Sequence, residues 1–175
     1  MIQVNSIRFD SLKLVQDRRA LFGTVQIAAL SRLSESLLDN TGTLNYQVQG
    51  AVDLQDRPLL ELQVSGTVQL QCQRCLEGFE HKVHVETAVR LVAPVVLDRE
   101  YDDDPDALDC VATSVAFDLA ELIEDEVLLA LPAYPRHEAE RCRVSKATEA
   151  HTSGAQVKAF SALQALKLKV IQSKE

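Results

Sequence analysis

The sequence predicts an α+β domain, an antiparallel β-meander with a packed amphipathic helix and short terminal helices. Two observations carry this. Three stretches, near 43–53, 59–72 and 79–92, alternate apolar and polar residues at a period of two, the pattern of strands buried on one face. Their connections are too short for parallel crossovers, and a capped apolar stripe with helical spacing follows at 118–131.

Taken in order, the chain begins with an expected strand at 2–9, a turn or helical piece around Leu12 to Gln16, and a strand at 20–27. Leu30, Leu33 and Leu37 then recur at helical spacing with Arg32, Glu35 and Ser36 between them, and Asp39-Asn40-Thr41-Gly42 supplies a stop. In the first meander strand Leu44, Tyr46, Val48 and Val52 alternate with Asn45, Gln47 and Gln49, and Asp56-Arg57-Pro58 turns the chain. Leu60, Leu62, Val64, Val68, Leu70 and Cys72 line one face of the second strand. Phe79, His81, Val83, Val85, Val89 and Leu91 do the same for the third, with Glu80, Lys82, His84, Glu86 and Arg90 opposite them. His81 and His84 therefore fall on opposite faces and do not form a pair.

Residues 98–109 hold seven carboxylates, one basic residue and Pro105, the composition of a solvated loop. An acidic patch for a basic partner is the functional reading of the same stretch. Cys110 follows, a small residue on a strand expected at 110–117. Asp118-Leu119-Ala120-Glu121 resembles a capping box. The helix it opens has an apolar face of Leu119, Leu122, Ile123, Val127, Ala130 and Leu131, which leaves Glu124, Asp125 and Glu126 as an acidic outer face before Pro132 stops it. Residues 144–158 lack periodicity and read as a flexible linker, so the single domain spans 1–143. A C-terminal helical basic tail occupies 159–175, where Phe160, Leu163 and Lys167 are candidate partner-binding residues.

Composition narrows the function classes. A hydrophobic content of 46% over 175 residues can bury one moderate core. No apolar run approaches the roughly 20 residues that span a bilayer, and no charged-then-apolar leader precedes the first strand, so the expectation is a cytoplasmic protein without a membrane segment. A formal net charge of −8 opposes broad capture of nucleic acid. No GxGxxG, GxxxxGK, HExxH or GxSxG stretch occurs.

The most chemical feature is Cys72-Gln73-Arg74-Cys75, placed at the turn between two strands. Two thiolates are half of a tetrahedral zinc site, which needs four ligands, or three and a water. His137 and Cys142, after the 118–131 helix, are the natural complement if that segment folds back, making Cys72, Cys75, His137 and Cys142 the candidate metal ligands. Unpaired thiols in a reducing compartment would read the same way. A thioredoxin-type role fits less well, because Cys72 ends a strand instead of opening a helix, where the dipole lowers a thiol pKa.

The stretch Leu70-Gln71-Cys72-Gln73-Arg74-Cys75-Leu76-Glu77-Gly78-Phe79, with Glu124-Asp125-Glu126-Val127-Leu128-Leu129-Ala130-Leu131-Pro132, His137 to Cys142, and Ala159 to Lys167, resembles the YceD family. The resemblance covers most of the chain. It implies a non-enzymatic role in accumulation of the large-subunit (23S) ribosomal RNA, in ribosome biogenesis, with a large-subunit precursor or a biogenesis protein as partner. Many relatives carry further cysteines after the helix where this chain has His137 and then Cys142. An enzyme, either a zinc-dependent or an RNA-processing hydrolase, is the alternative. The two part on whether the metal would keep an open water position.

Overall fold

The computed structural model describes residues 8–95, 108–138 and 142. Its elements are β1 (Arg8–Phe9), α1 (Ser11–Gln16), β2 (Ala20–Gln26), a 3-10 turn (Ile27–Ala29), α2 (Ser31–Ser36), β3 (Thr43–Val52), β4 (Pro58–Gln71), β5 (Gly78–Val92), β6 (Cys110–Ala112), β7 (Phe117–Asp118) and α3 (Leu119–Ala130). Strands β2 to β6 form one sheet in sequential order, antiparallel except for the parallel β5–β6 pair, and β1 pairs with β7 in a second, two-stranded sheet. The α+β meander expected from the alternations is the architecture found.

The core lies on one side of the five-stranded sheet. Leu44, Tyr46 and Val48 of β3, Leu60, Leu62, Val64, Val68 and Leu70 of β4, and Val83, Val85, Val89 and Leu91 of β5 are buried. They form a single cluster with Leu14 of α1, Leu33 of α2, and Leu119, Leu122, Ile123 and Val127 of α3. Asn45, Gln47, Gln63 and Lys82 on the opposite face are exposed. Helix α1 comes unusually close to β3, because a Cβ on Gly50 would stand 2.6 Å from the backbone of Leu14 and Val15. Only glycine permits that approach.

Three expectations are corrected. The strand expected over 110–117 is two short ones. Buried Ser11 clamps the chain between them, donating its amide to the Ser114 carbonyl at 3.0 Å and accepting the Ser114 amide on its hydroxyl at 3.1 Å. The second correction concerns β5, where alternation put Arg90 outward. Arg90 is instead 6% exposed, with its guanidinium nitrogens 3.1 and 3.3 Å from Cys110 Sγ, because β6 lies beside this end of β5. The third is Glu124, which is not on a solvated face. Its carboxylate is buried and accepts from the Leu33 amide at 3.0 Å and from Arg32 Nε at 2.9 Å. It thereby satisfies one of the open amides at the start of α2, which has no side-chain cap of its own.

Helix α3 starts as expected, with Asp118 accepting from the Ala120 amide at 3.1 Å. The reciprocal Glu121 bond of the capping box is not made; Asp118 is itself a strand residue, opposite Arg8. The early part of the expected strand 2–9, the acidic stretch at 98–107, and the linker and tail with Phe160, Leu163 and Lys167 lie outside the described residues.

Glu124→Ala should destabilise the fold by about 2 kcal/mol, since it strands a buried amide, whereas Asp125→Ala at the half-exposed end of the same arginine pair should cost less than about 0.5 kcal/mol. Leu122→Asp, which buries an unpaired charge, should exceed both. Urea unfolding midpoints measure all three. Equal midpoints for the two acidic-residue variants would show that Glu124 does not hold α2.

Candidate metal centre

The β4–β5 hairpin ends in a turn whose bonds organise it around one sulfur. Cys72 donates its amide to the Glu77 carbonyl and accepts the Leu76 amide on its own carbonyl, each at 2.9 Å. To close so tightly, Leu76 adopts a left-handed φ of 64°, a conformation that costs a non-glycine residue roughly 1 kcal/mol. The Arg74 amide lies 3.5 Å from Cys72 Sγ, and the amides of Cys75 and His137 also donate to it. Cys72 is fully buried while Cys75 is half-buried.

The segment after α3 closes over this turn. Pro132 and Pro135 keep the chain from continuing as a helix, and the Pro135 carbonyl accepts the Gln73 amide at 2.9 Å, joining the two segments backbone to backbone. The His137 ring then rests against Phe79, centroids 5.0 Å apart. The Cys142 amide bonds back to the Glu138 carbonyl at 3.2 Å.

All four predicted residues converge. The potential ligand atoms of Cys72, Cys75, His137 and Cys142 lie within 4.8 Å of one another, with Cys72 Sγ 3.7 Å from Cys142 Sγ and Cys75 Sγ 3.3 Å from His137 Nδ1. A tetrahedral ion with metal–sulfur bonds of about 2.3 Å and metal–nitrogen bonds of about 2.0 Å has sulfur–sulfur edges of about 3.8 Å and sulfur–nitrogen edges of about 3.5 Å. The donor set can hold a metal ion. All four cysteines are free of disulfides, and Cys110 stands apart from the cluster beside Arg90. Neither His81 nor His84 joins it; His84 Nε2 lies 3.4 Å from Glu86 on the exposed face.

Without an ion, the thiols are pulled in opposite directions. Burial pushes Cys72 up, yet the amides of Cys75, His137 and Arg74 outweigh it and hold the thiol at about 5. Burial and the neighbouring sulfurs of Cys72 and Cys75 push Cys142 up to about 11. One anion is thus welcomed and further ones are resisted, a conflict that a cation bonded to all of the sulfurs removes.

The residues that position His137 were not foreseen from sequence. Phe79 was read as an alternating core residue; its place directly after Gly78 at the hairpin tip was the available signal. A polar groove of about 800 Å³ also opens beside the cluster, between Gln69, Glu80 and Lys82 on the strands and Arg136 and Glu138 on the returning segment.

Compared with known proteins, residues 60–167 match the family described as "Large ribosomal RNA subunit accumulation protein YceD". The protein of that name from Haemophilus influenzae (strain ATCC 51907 / DSM 11121 / KW20 / Rd) is 30% identical over 138 residues, covering 78% of each chain. No solved structure matches.

In chelator-treated protein, ultraviolet thiolate absorbance should show one thiol losing its proton near pH 5, and Cys72→Ser should abolish that step. Because the folded pKa lies below the unfolded value, the Cys72 contribution to stability is fully present above about pH 8.5 and lost as pH falls through about 5. Cys142 has the opposite sign, its contribution being lost as pH rises towards about 11. A titration in which every thiol ionises near its ordinary value would contradict the amide cage.

Proposed function

The chain belongs to the YceD family of large ribosomal RNA subunit accumulation proteins, and from that premise we propose that it is a non-enzymatic factor supporting 23S rRNA accumulation during ribosome biogenesis. Its Cys3His cluster is a closed structural zinc site. Three thiolates and an imidazole suit a borderline-soft tetrahedral ion, and an oxygen-preferring one poorly. The observation that carries the reading is the fourth donor. Cys142 Sγ lies 3.7 Å from Cys72 Sγ, which supports a site whose four tetrahedral corners are all taken by protein donors and which has no place for the reactive water that a zinc hydrolase needs.

In this reading the metal holds the hairpin tip to the segment after α3, closing a loop that separates Cys72 from Cys142 by 70 residues. The protein works in the cytoplasm, on a large-subunit precursor or a biogenesis protein. Among the described residues no helix is long and apolar enough to cross a membrane. Phe160, Leu163 and Lys167 of the basic tail are proposed partner contacts on the strength of their sequence pattern.

Protein purified without chelator should contain one equivalent of zinc by elemental mass spectrometry, falling well below one in Cys72→Ser and Cys142→Ser, with thermal midpoints lowered by roughly 5–10 °C. In bacteria lacking their own family member, expression of the chain should restore large-subunit rRNA levels, and the purified protein should leave precursor rRNA uncut. Zinc-dependent cleavage of that RNA would overturn the non-enzymatic reading in favour of a hydrolase. Removing residues 160–175 should weaken co-sedimentation with large-subunit precursors; unchanged co-sedimentation would exclude the tail as a contact.

A further inference from the structure

A second cavity shares no residue with the metal centre. It opens between α3 and the chain running from β6 into β7, has a volume of about 590 Å³, and is lined on its apolar side by Val111, Ala112, Phe117 and Leu122. Its polar lining is one-sided, with carboxylates from Asp118, Glu121 and Asp125 against a single guanidinium, Arg8.

The nearby cations are already engaged. Arg8 Nε lies 3.4 Å from Asp118, Arg32 bonds Glu124 and Asp125 at 2.9 and 2.6 Å, and buried Arg90 faces Cys110. Glu121 is exposed and has no ion pair among the described residues. The lining therefore carries a net negative charge beside its apolar residues. A solvated helix face would scatter such charges over no cavity at all.

We propose that this cleft docks a basic peptide segment of a protein partner, an apolar side chain seated against Val111, Phe117 and Leu122 and a Lys or Arg side chain set against Glu121, the lining carboxylate with no ion pair among the described residues. The volume lies within the range of small binding pockets and holds a few side chains. Charge complementarity selects the occupant. A nucleic-acid backbone would meet a lining of three carboxylates to one guanidinium, with Glu121 unpaired among the described residues, on a chain of net charge −8, whereas a basic segment gains from both the local and the overall field.

The test is fluorescence polarisation of the full chain with a labelled synthetic peptide of lysine and leucine, the same peptide with glutamate replacing lysine, and a single-stranded RNA oligonucleotide. The basic peptide should bind, and weaken more than about tenfold between about 0.05 M and 0.5 M sodium chloride as screening shortens the reach of the carboxylates. Glu121→Lys should lower affinity about tenfold, and Ala116→Trp, which fills the cleft from its exposed rim, should lower it as far. Both variants should keep the parent's thermal midpoint and zinc content. Unchanged affinity in both variants, or equal binding of the acidic peptide, overturns the proposal, as does RNA binding without peptide binding. If peptide binding fails while rRNA accumulation and zinc content are intact, the cleft proposal alone is lost.

Discussion

The rest of the molecule depends on the one-sided burial of the sheet. Strands β3, β4 and β5 carry most of their apolar side chains on one face, against which α1 packs on β3 and β4 and α3 packs on β5 to exclude water. On the opposite face the amide side chains of Asn45, Gln47, Gln49 and Gln63 are exposed among the described residues. That asymmetry sets the path of α3, whose apolar stripe packs on β5. The helix ends at Ala130, and by Pro135 the chain already bonds the hairpin tip, so the segment carrying His137 has only a short distance to travel.

The turn at the tip is organised before any metal is considered. Three amides point at Cys72 Sγ, one of them from His137 itself, so the returning segment is bonded to the turn through its backbone as well as through potential ligand atoms. The Gln73–Pro135 bond adds a second tie. Such outer contacts fix the orientation of thiolates and imidazole, and they commonly tune metal sites as strongly as the ligands do. They also explain how a hydrophobic strand can end in a buried sulfur without leaving an unsatisfied polar group.

Acidic residues do unlike work along one helix. Glu124 faces inward, binds the start of α2 and holds Arg32 in place; its neighbour Asp125 shares that arginine at the surface. Glu121 and Asp118 line the cleft together with Asp125. A run of three consecutive carboxylates thus passes from buried Glu124 to half-buried Asp125 and Glu126, because successive helical residues are turned by about 100°.

The sequence by itself determined the strands and the long helix, since period-two and helical-period patterns record which side of each element meets the core. It also determined the identity of the four cluster residues, because thiol and imidazole spacing records donor chemistry. Whether those residues meet was decided only by tertiary structure: 62 residues separate Cys75 from His137, and no local pattern encodes the direction in which α3 crosses the sheet. Glu124 shows the same limit. Its position on the helix suggested solvent, yet the arrival of α2 over that side created a buried amide for it to bind. Arg90 was likewise misread because its cover comes from β6, a strand too short to announce itself, and the Phe79–His137 contact joins residues that no periodicity relates. Patterns within one segment report what that segment must bury; which segment covers it is a property of the packed whole.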